Sequence, residues 1–291
     1  MVDIGLLKHY PTLATKRGFL KTSKLGFVAE TPDYKENDVV YNLNDGNSRY
    51  YVKYETGRDE VDSQVLLSQL LLKYGIGSAV YLPALDKNGH SATISDDIET
   101  SSCKQAAQMS EELAKRGVQV PKTHVAIQKY SIFDYTKLFT KDGIRQLLKV
   151  NLFAPPTFLD DLHDENVFYE YNQDGKISGV KIIDYSSSCD TAFDKPCKYL
   201  RHYSQSTNFV NNIGDKCNKT REQMVDELTH NEVVQHYLPT SEQVELVGNM
   251  AEDVSKVATD ISQSTGYDVK QIFVDKVALS LSSFATELSQ C

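Results

Sequence analysis

The chain contains no apolar run long enough to span a bilayer, and its first residues, MVDIGLLKHYPTLATKRG, lack the extended apolar core of a secretion signal. A reducing cytoplasm is the expected place of synthesis and use. Cysteine is sparse: Cys103, Cys189, Cys197, Cys217 and Cys291 are odd in number, scattered, and never spaced as C-x-x-C. That pattern excludes a disulfide framework and a zinc site of the paired-cysteine type, leaving free thiols. Basic excess is missing too. A formal net charge of −9 at pH 7, with no Lys/Arg run interleaved with aromatics, argues against a nucleic-acid partner, and the acidic balance disfavours residence on an anionic membrane. There is no internal repeat and no low-complexity linker, so no separate domain is required. The 291 residues, 40% of them apolar, can bury a substantial core as one unit. Asn218-Lys219-Thr220 matches a glycosylation acceptor, a match that carries little weight without a secretion signal.

Against these absences stands the stretch DDLHDENVFYEYNQDGKISGVKIIDY, Asp160 to Tyr185. Asp161 and Asn166 sit in a short polar loop. An apolar strand (Val167 to Tyr171), a turn at Asn172 to Gly175 and a second strand (Val180 to Ile183) then lead to Asp184. Such a hairpin brings Asn166, at the start of its first strand, beside Asp184, at the end of its second. An Asn carbonyl and an Asp carboxylate are hard oxygen donors of the kind Mg²⁺ takes, usually one or two from protein with phosphates and water completing the shell. Asp161, further back on the loop, can orient a hydroxyl or accept its proton. This order of parts is the one used in phosphoryl transfer. Asp and Asn in a polar loop are common turn chemistry, so the weight lies in the combination with His163, the hairpin and the terminal Ile182-Ile183-Asp184.

At these residues the chain resembles the protein-kinase-like superfamily, and its atypical branches more than the ordinary Ser/Thr and Tyr kinases. Asp161-Leu162-His163-Asp164-Glu165-Asn166 looks like the D-L-H-x-x-N loop of aminoglycoside and choline phosphotransferases. It is also similar to the D-R-H-x-x-N loop of phosphoinositide kinases and HipA-like kinases. Ile182-Ile183-Asp184-Tyr185 resembles their I-D-F/Y segment, which stands where ordinary kinases have D-F-G. The resemblance implies Asp161 as the catalytic aspartate and Asn166 and Asp184 as ligands of Mg²⁺ (or Mn²⁺), with ATP as phosphoryl donor. His163 then reads as a structural hydrogen-bonding residue. The divergent motifs would suit a bacterial kinase, including an effector delivered into a host cell.

Upstream, Asp38 to Leu43, the turn Asn44-Asp45-Gly46-Asn47 and Ser48 to Tyr54 read as strand, turn, strand. Lys53 lies in the second strand, and Tyr51-Val52-Lys53-Tyr54 resembles the V-A-I-K strand whose lysine contacts the α- and β-phosphates. A helix over Asp59 to Tyr74, ended by Gly75-Ile76-Gly77, would be the counterpart of the kinase αC helix. Glu60 and Gln64 compete for the place facing the lysine. Gln64 better fits the spacing of the HipA-like pattern, but Glu60 is preferred because a carboxylate holds an ammonium more strongly than an amide does. One expected part is missing: the strand around Lys24 to Pro32 is not followed by G-x-G-x-x-G, so backbone amides of another loop would have to cover the phosphates.

The remaining expectations complete a two-lobed α+β fold, with a β-rich amino lobe over residues 1–130 and a mainly helical carboxy lobe over 131–291. Ala79 to Pro83 is a strand, Asp86 to Ser102 a polar loop, and Ser110 to Arg116 a helix. Lys122 to Tyr130 is the last amino-lobe strand and hinge, placing adenine on backbone around Gln128 and Tyr130. Ser131 to Val150 is a helix that Pro155-Pro156 separates from the catalytic loop, and Ser186 to Asn212 is the activation segment. Three helices follow, Thr220 to Tyr237, Ser241 to Ser264 and Asp268 to Leu288, with apolar stripes that close the core. The function expected is an ATP- and Mg²⁺-dependent phosphotransferase acting on a hydroxyl of a protein, an inositol lipid or a small molecule. The alternative is a pseudokinase-like module that regulates a partner protein through its carboxy lobe without catalysis.

Overall fold

The computed structural model describes residues 20–23, 26–29, 40–44, 49–55, 57–86, 91–96, 98–105, 108, 139–157, 159, 166–185 and 221–291. The hairpin expected at the Asp-Gly turn forms. Strands β3 (Val40–Asn44) and β4 (Arg49–Tyr54) pair antiparallel after β1 (Leu20–Ser23) and β2 (Gly26–Ala29), with Val40 opposite Lys53. Helix α1 (Arg58–Lys73) and the short β5 (Gly77–Ser78) follow, then β6 (Tyr81–Asp86) and β7 (Ser91–Asp96). One sheet has the order β1-β2-β6-β7-β4-β3, antiparallel except where β2 meets β6. Lys53 thus lies on an interior strand, between Val40 of β3 and Thr93 of β7.

The segment expected to be a polar loop, Asp86 to Ser102, contains β7, which pairs with both β4 and β6. Its alternation of Ser91, Thr93 and Ser95 with Ala92 and Ile94 has the strand period. Low hydrophobicity hides it: Thr93 and Ser95 are buried along with Ala92 and Ile94 because the strand is central, and the Thr93 hydroxyl donates to Glu55 Oε1 at 2.8 Å.

A second sheet has the order β5-β10-β9-β8, from β8 (Cys103–Gln105), β9 (Val167–Tyr171) and β10 (Ile177–Ile182). The β9–β10 hairpin is the one expected, closed by Gly175 N–H on Asn172 O at 2.9 Å. β5 joins β10 in parallel, Gly77 beside Lys181 and Ser78 beside Ile182. Two glycines make this junction possible. Gly75, at φ 68°, ends α1 in a Schellman motif with Gly75 N on Leu72 O and Ile76 N on Leu71 O. At Gly77 a Cβ would stand 2.5 Å from Val180 O, so only a bare backbone can lie this close to β10.

Helix α1 was expected to bury one apolar face, yet every residue from Val61 to Leu71 is buried, polar Asp62, Ser63, Gln64, Ser68 and Gln69 included. It is enclosed by β5, β6 and β7 and by a helix of the carboxy-terminal hairpin. Helix α2 (Lys141–Thr157) begins later than the expected Ser131 and runs through Pro155-Pro156 instead of ending before them. Its start is set by Thr140, whose Oγ1 accepts from Gly143 N at 3.1 Å, while Phe139 bridges to Ile177. At its end Thr157 Oγ1 donates to Phe153 O at 2.9 Å, tying down the turn that the prolines weaken.

The expected helix over Thr220 to Tyr237 divides into α3 (Arg221–His230) and α4 (Glu232–Tyr237), because Asn231 accepts from Val233 N and Val234 N and restarts the helix as an N-cap. Helices α5 (Thr240–Thr265) and α6 (Gln271–Ser289) form an antiparallel pair joined at Gly266, φ 72°. Val247, Met250, Val254, Val257 and Ile261 face Val274, Val277, Leu281 and Phe284 in one core. The apolar stripe expected over Asp268 to Leu288 does not close the core along its whole width: Ile272 and Leu279 are 64% and 72% exposed, since α6 buries the side that meets α5, α2 and α3. Among the described residues no helix is long and apolar enough to cross a membrane. The expectations for Ser110 to Arg116, Lys122 to Tyr130, the catalytic loop before Asn166 and Ser186 to Asn212 lie outside the described residues.

Candidate active site

Chain order alone separates Lys53 from Asp184 by 131 residues, and the fold brings them into contact. Lys53 Nζ donates to both carboxylate oxygens of Asp184, at 2.9 and 3.0 Å. The pair is largely sheltered, with side-chain exposures of 13% for Lys53 and 29% for Asp184. Asn166 reaches the same place through the hairpin: the first residue after β10, Ile183, donates its N–H to Asn166 O at 3.0 Å. Asn166 is itself buried.

Asp184 sits at φ 61°, the left-handed region, where among the described residues no other non-glycine residue is found. Asp tolerates this region better than most residues, but it persists only when the surroundings hold it. Those surroundings are explicit. Asp184 N–H donates to the Tyr81 hydroxyl at 3.2 Å, and Gln64 Nε2 donates to Asp184 Oδ1 at 3.0 Å. Gln64 Oε1 accepts from Tyr185 N at 3.0 Å, and Ser63 Oγ donates to Tyr185 O at 2.6 Å. The wholly buried Tyr185 ring stands edge-on to Tyr81 at 5.8 Å, and its hydroxyl meets Ser78 Oγ and Ile182 O. Burial pushes that phenol well above its ordinary range, against the lowering effect of its hydrogen bond with Ser78.

The two residues weighed as lysine partners take different places. Gln64 spans Asp184 and Tyr185, a position that suits an amide: it donates to a carboxylate with one end and accepts a backbone N–H with the other, which a carboxylate cannot do. Glu60 lies near Glu55. Burial pushes the Glu55 carboxyl up to about 8, with Lys53 and the Thr93 hydroxyl pulling it down and Glu60 adding to the rise. Lys53, Glu55 and Glu60 therefore form one electrostatic neighbourhood on the inner side of β4 and α1. Asp161, Gln128 and Tyr130 lie outside the described residues.

Ser63, Tyr81 and Glu55 were not singled out from sequence. Their signal is weak because each is an ordinary residue in the linear pattern: the approach of α1 and β6 to the end of β10 gives Ser63 and Tyr81 a task, and Thr93 of β7 with Lys53 and Glu60 gives Glu55 its surroundings. By chemistry the donor set fits a divalent cation of the Mg²⁺ type: the Asp184 carboxylate and the Asn166 side-chain amide are hard oxygen donors of the kind such an ion takes one or two of, and the Asn166 backbone pairs with Ile183, the neighbour of Asp184.

No protein-family model matches the chain, and no curated protein matches it in sequence. Solved structures similar to it include the Helicobacter pylori proinflammatory kinase CtkA, with TM-score 0.49 and 13% identity over 92% of this chain and 95% of that one. The HipA–HipB toxin–antitoxin complex with operator DNA from Shewanella oneidensis MR-1 matches with TM-score 0.46 and 10% identity, over 99% of this chain and 71% of that one. The choline kinase LicA from Streptococcus pneumoniae matches with TM-score 0.25 and 12% identity, over 98% and 99%.

Proposed function

We propose that the chain is an ATP- and Mg²⁺-dependent phosphotransferase, an atypical kinase of two lobes divided near residue 130, that transfers the γ-phosphate to a hydroxyl acceptor in the cytoplasm. The observation that carries this reading is the contact of Lys53 with Asp184, made where the β9–β10 hairpin also delivers Asn166. Bound Mg²⁺ and ATP would supply the phosphoryl group and offset its charge. Asp184 and Asn166 would hold the ion, and Lys53 would move from Asp184 to the phosphates, an exchange of one anionic partner for another. Asp161 would orient the acceptor hydroxyl and take its proton as the new oxygen–phosphorus bond forms and ADP leaves. Glu60, with Glu55 behind it, would shape the field around Lys53, and backbone near Gln128 and Tyr130 would receive adenine.

The acceptor class is a protein hydroxyl, an inositol lipid or a small molecule, and one screen decides among them. Purified chain, Mg²⁺ and ATP labelled at the γ-phosphate are offered a panel of proteins, inositol lipids and small alcohols. Label moving to one class identifies the acceptor. Nucleotide binding without transfer to any acceptor or to the chain itself would instead establish a regulatory binding module built on the same fold.

A further inference from the structure

Helix α1 carries two sets of polar contacts on nearly opposite faces. Ser63 and Gln64 hold Asp184 and Tyr185, whereas Asp62, fully buried, turns to the junction of α5 and α6. Asp62 and Gln64 are two residues apart, about 200° around the helix axis, so the helix acts as a spacer between the two sets. On the far side Tyr267 donates its hydroxyl to Asp62 Oδ1 at 2.7 Å, and Lys270 donates its backbone N–H to Oδ2 at 3.3 Å. Arg58 stacks over the Tyr267 ring at 5.4 Å and donates to Asp268 O, and Lys270 pairs with Asp59. The other end of α1 is held as well: Tyr74 donates to Asp253 Oδ2 at 2.6 Å, and Lys73 Nζ lies 2.7 Å from the same oxygen.

Apolar packing alone would let α1 slide or rotate at small cost, since Val61, Val65, Leu66 and Leu70 offer similar surfaces. A buried carboxylate is a poor source of stability, and its best-attested structural use is to fix register. Asp62 is placed for that use, one residue before Ser63 and two before Gln64. We infer that Asp62 and Tyr267 are positioning residues: the turn between α5 and α6 sets the rotation of α1 and thereby seats Gln64 on Asp184 and Tyr185. The carboxy-terminal hairpin thus reaches the site through α1. The consequence for metal and nucleotide rests on the phosphotransferase reading, whereas the mechanical link does not.

The test is site-resolved hydrogen exchange on the full chain without nucleotide, comparing wild type with Tyr267→Phe. The probe is the Tyr185 amide, which donates to Gln64, and the internal reference is the amide of Val254, buried in the middle of α5. Loss of the tether is expected to speed exchange at Tyr185 about tenfold with Val254 unchanged. Equal acceleration at both amides would reduce Tyr267 to a general stabiliser and overturn the inference, as would an unchanged Tyr185. Asp62→Ala, which removes both acceptor oxygens, gives the same reading should Tyr267→Phe fail to fold. Titration of the wild type with Mg²⁺ and a non-hydrolysable ATP analogue is measured separately. Absent binding there removes the phosphotransferase reading and leaves the exchange result to judge the positioning role by itself.

Discussion

At Asp184 the backbone and the side chain make demands that few residues satisfy together. The left-handed φ of 61° favours Asp, Asn or Gly, and the contacts with Lys53 and Gln64 require a charged acceptor. Glu55 is the second residue with an unusual chemistry. Burial pushes its carboxyl up to about 8 from an ordinary 4.5, so between these values the folded chain keeps a proton that the unfolded chain has lost. Stability from this residue is fully present below about pH 4.5 and is lost as pH rises through about 8, at a slope of up to about 1.4 kcal/mol per pH unit. Glu55→Gln is expected to flatten that slope in urea unfolding across the same window and to make the chain more stable than wild type at its alkaline end. A slope unchanged by the substitution would show that Glu55 ionises normally. Glu55 could not have been assigned from the linear pattern, because its surroundings come from Lys53, Thr93 and Glu60 on separate elements, whereas Gln64 was legible only as a competitor of Glu60 and the hairpins that carry Lys53, Asn166 and Asp184 were legible as local patterns.

Among the elements, β5 has the narrowest tolerance. Its parallel pairing with β10 puts Ser78 beside Tyr185 and requires Gly77 to lie against Val180 O and Lys181. Gly77→Ala is expected to cost about 1–3 kcal/mol in chemical denaturation through this overpacking. A loss below about 0.5 kcal/mol would mean that β5 shifts freely and does not fix the end of β10. The hairpins and the long helices could be read in advance, since Asn-Gly or Asp-Gly turns and apolar periodicity are local signals. β7 could not, because Thr93 and Ser95 look solvated until two neighbouring strands bury them. The prolines misled at α2 for a similar reason: Pro155 and Pro156 break helices in isolation, but here the Thr157 hydroxyl and surrounding core hold the last turn.

Across the whole molecule, residues far apart in the chain meet at α1, which touches the first sheet, β5 of the second sheet and α5. That convergence explains why pairing partners within hairpins were legible and the order of the sheets was not. It also explains why the carboxy-terminal helices, which read as core-closing stripes, carry the contacts of Tyr267 and Asp253 that hold α1. The central claim is that Lys53, Asn166 and Asp184 form a phosphoryl-transfer centre. Its most direct measurement is the rate of γ-phosphate loss from ATP by the purified chain, with and without Mg²⁺, for wild type and Asp184→Ala. The account predicts turnover that requires the metal and falls more than about 100-fold in the variant. Metal-dependent turnover that survives Asp184→Ala, or none in a folded wild type that binds the nucleotide, would contradict it.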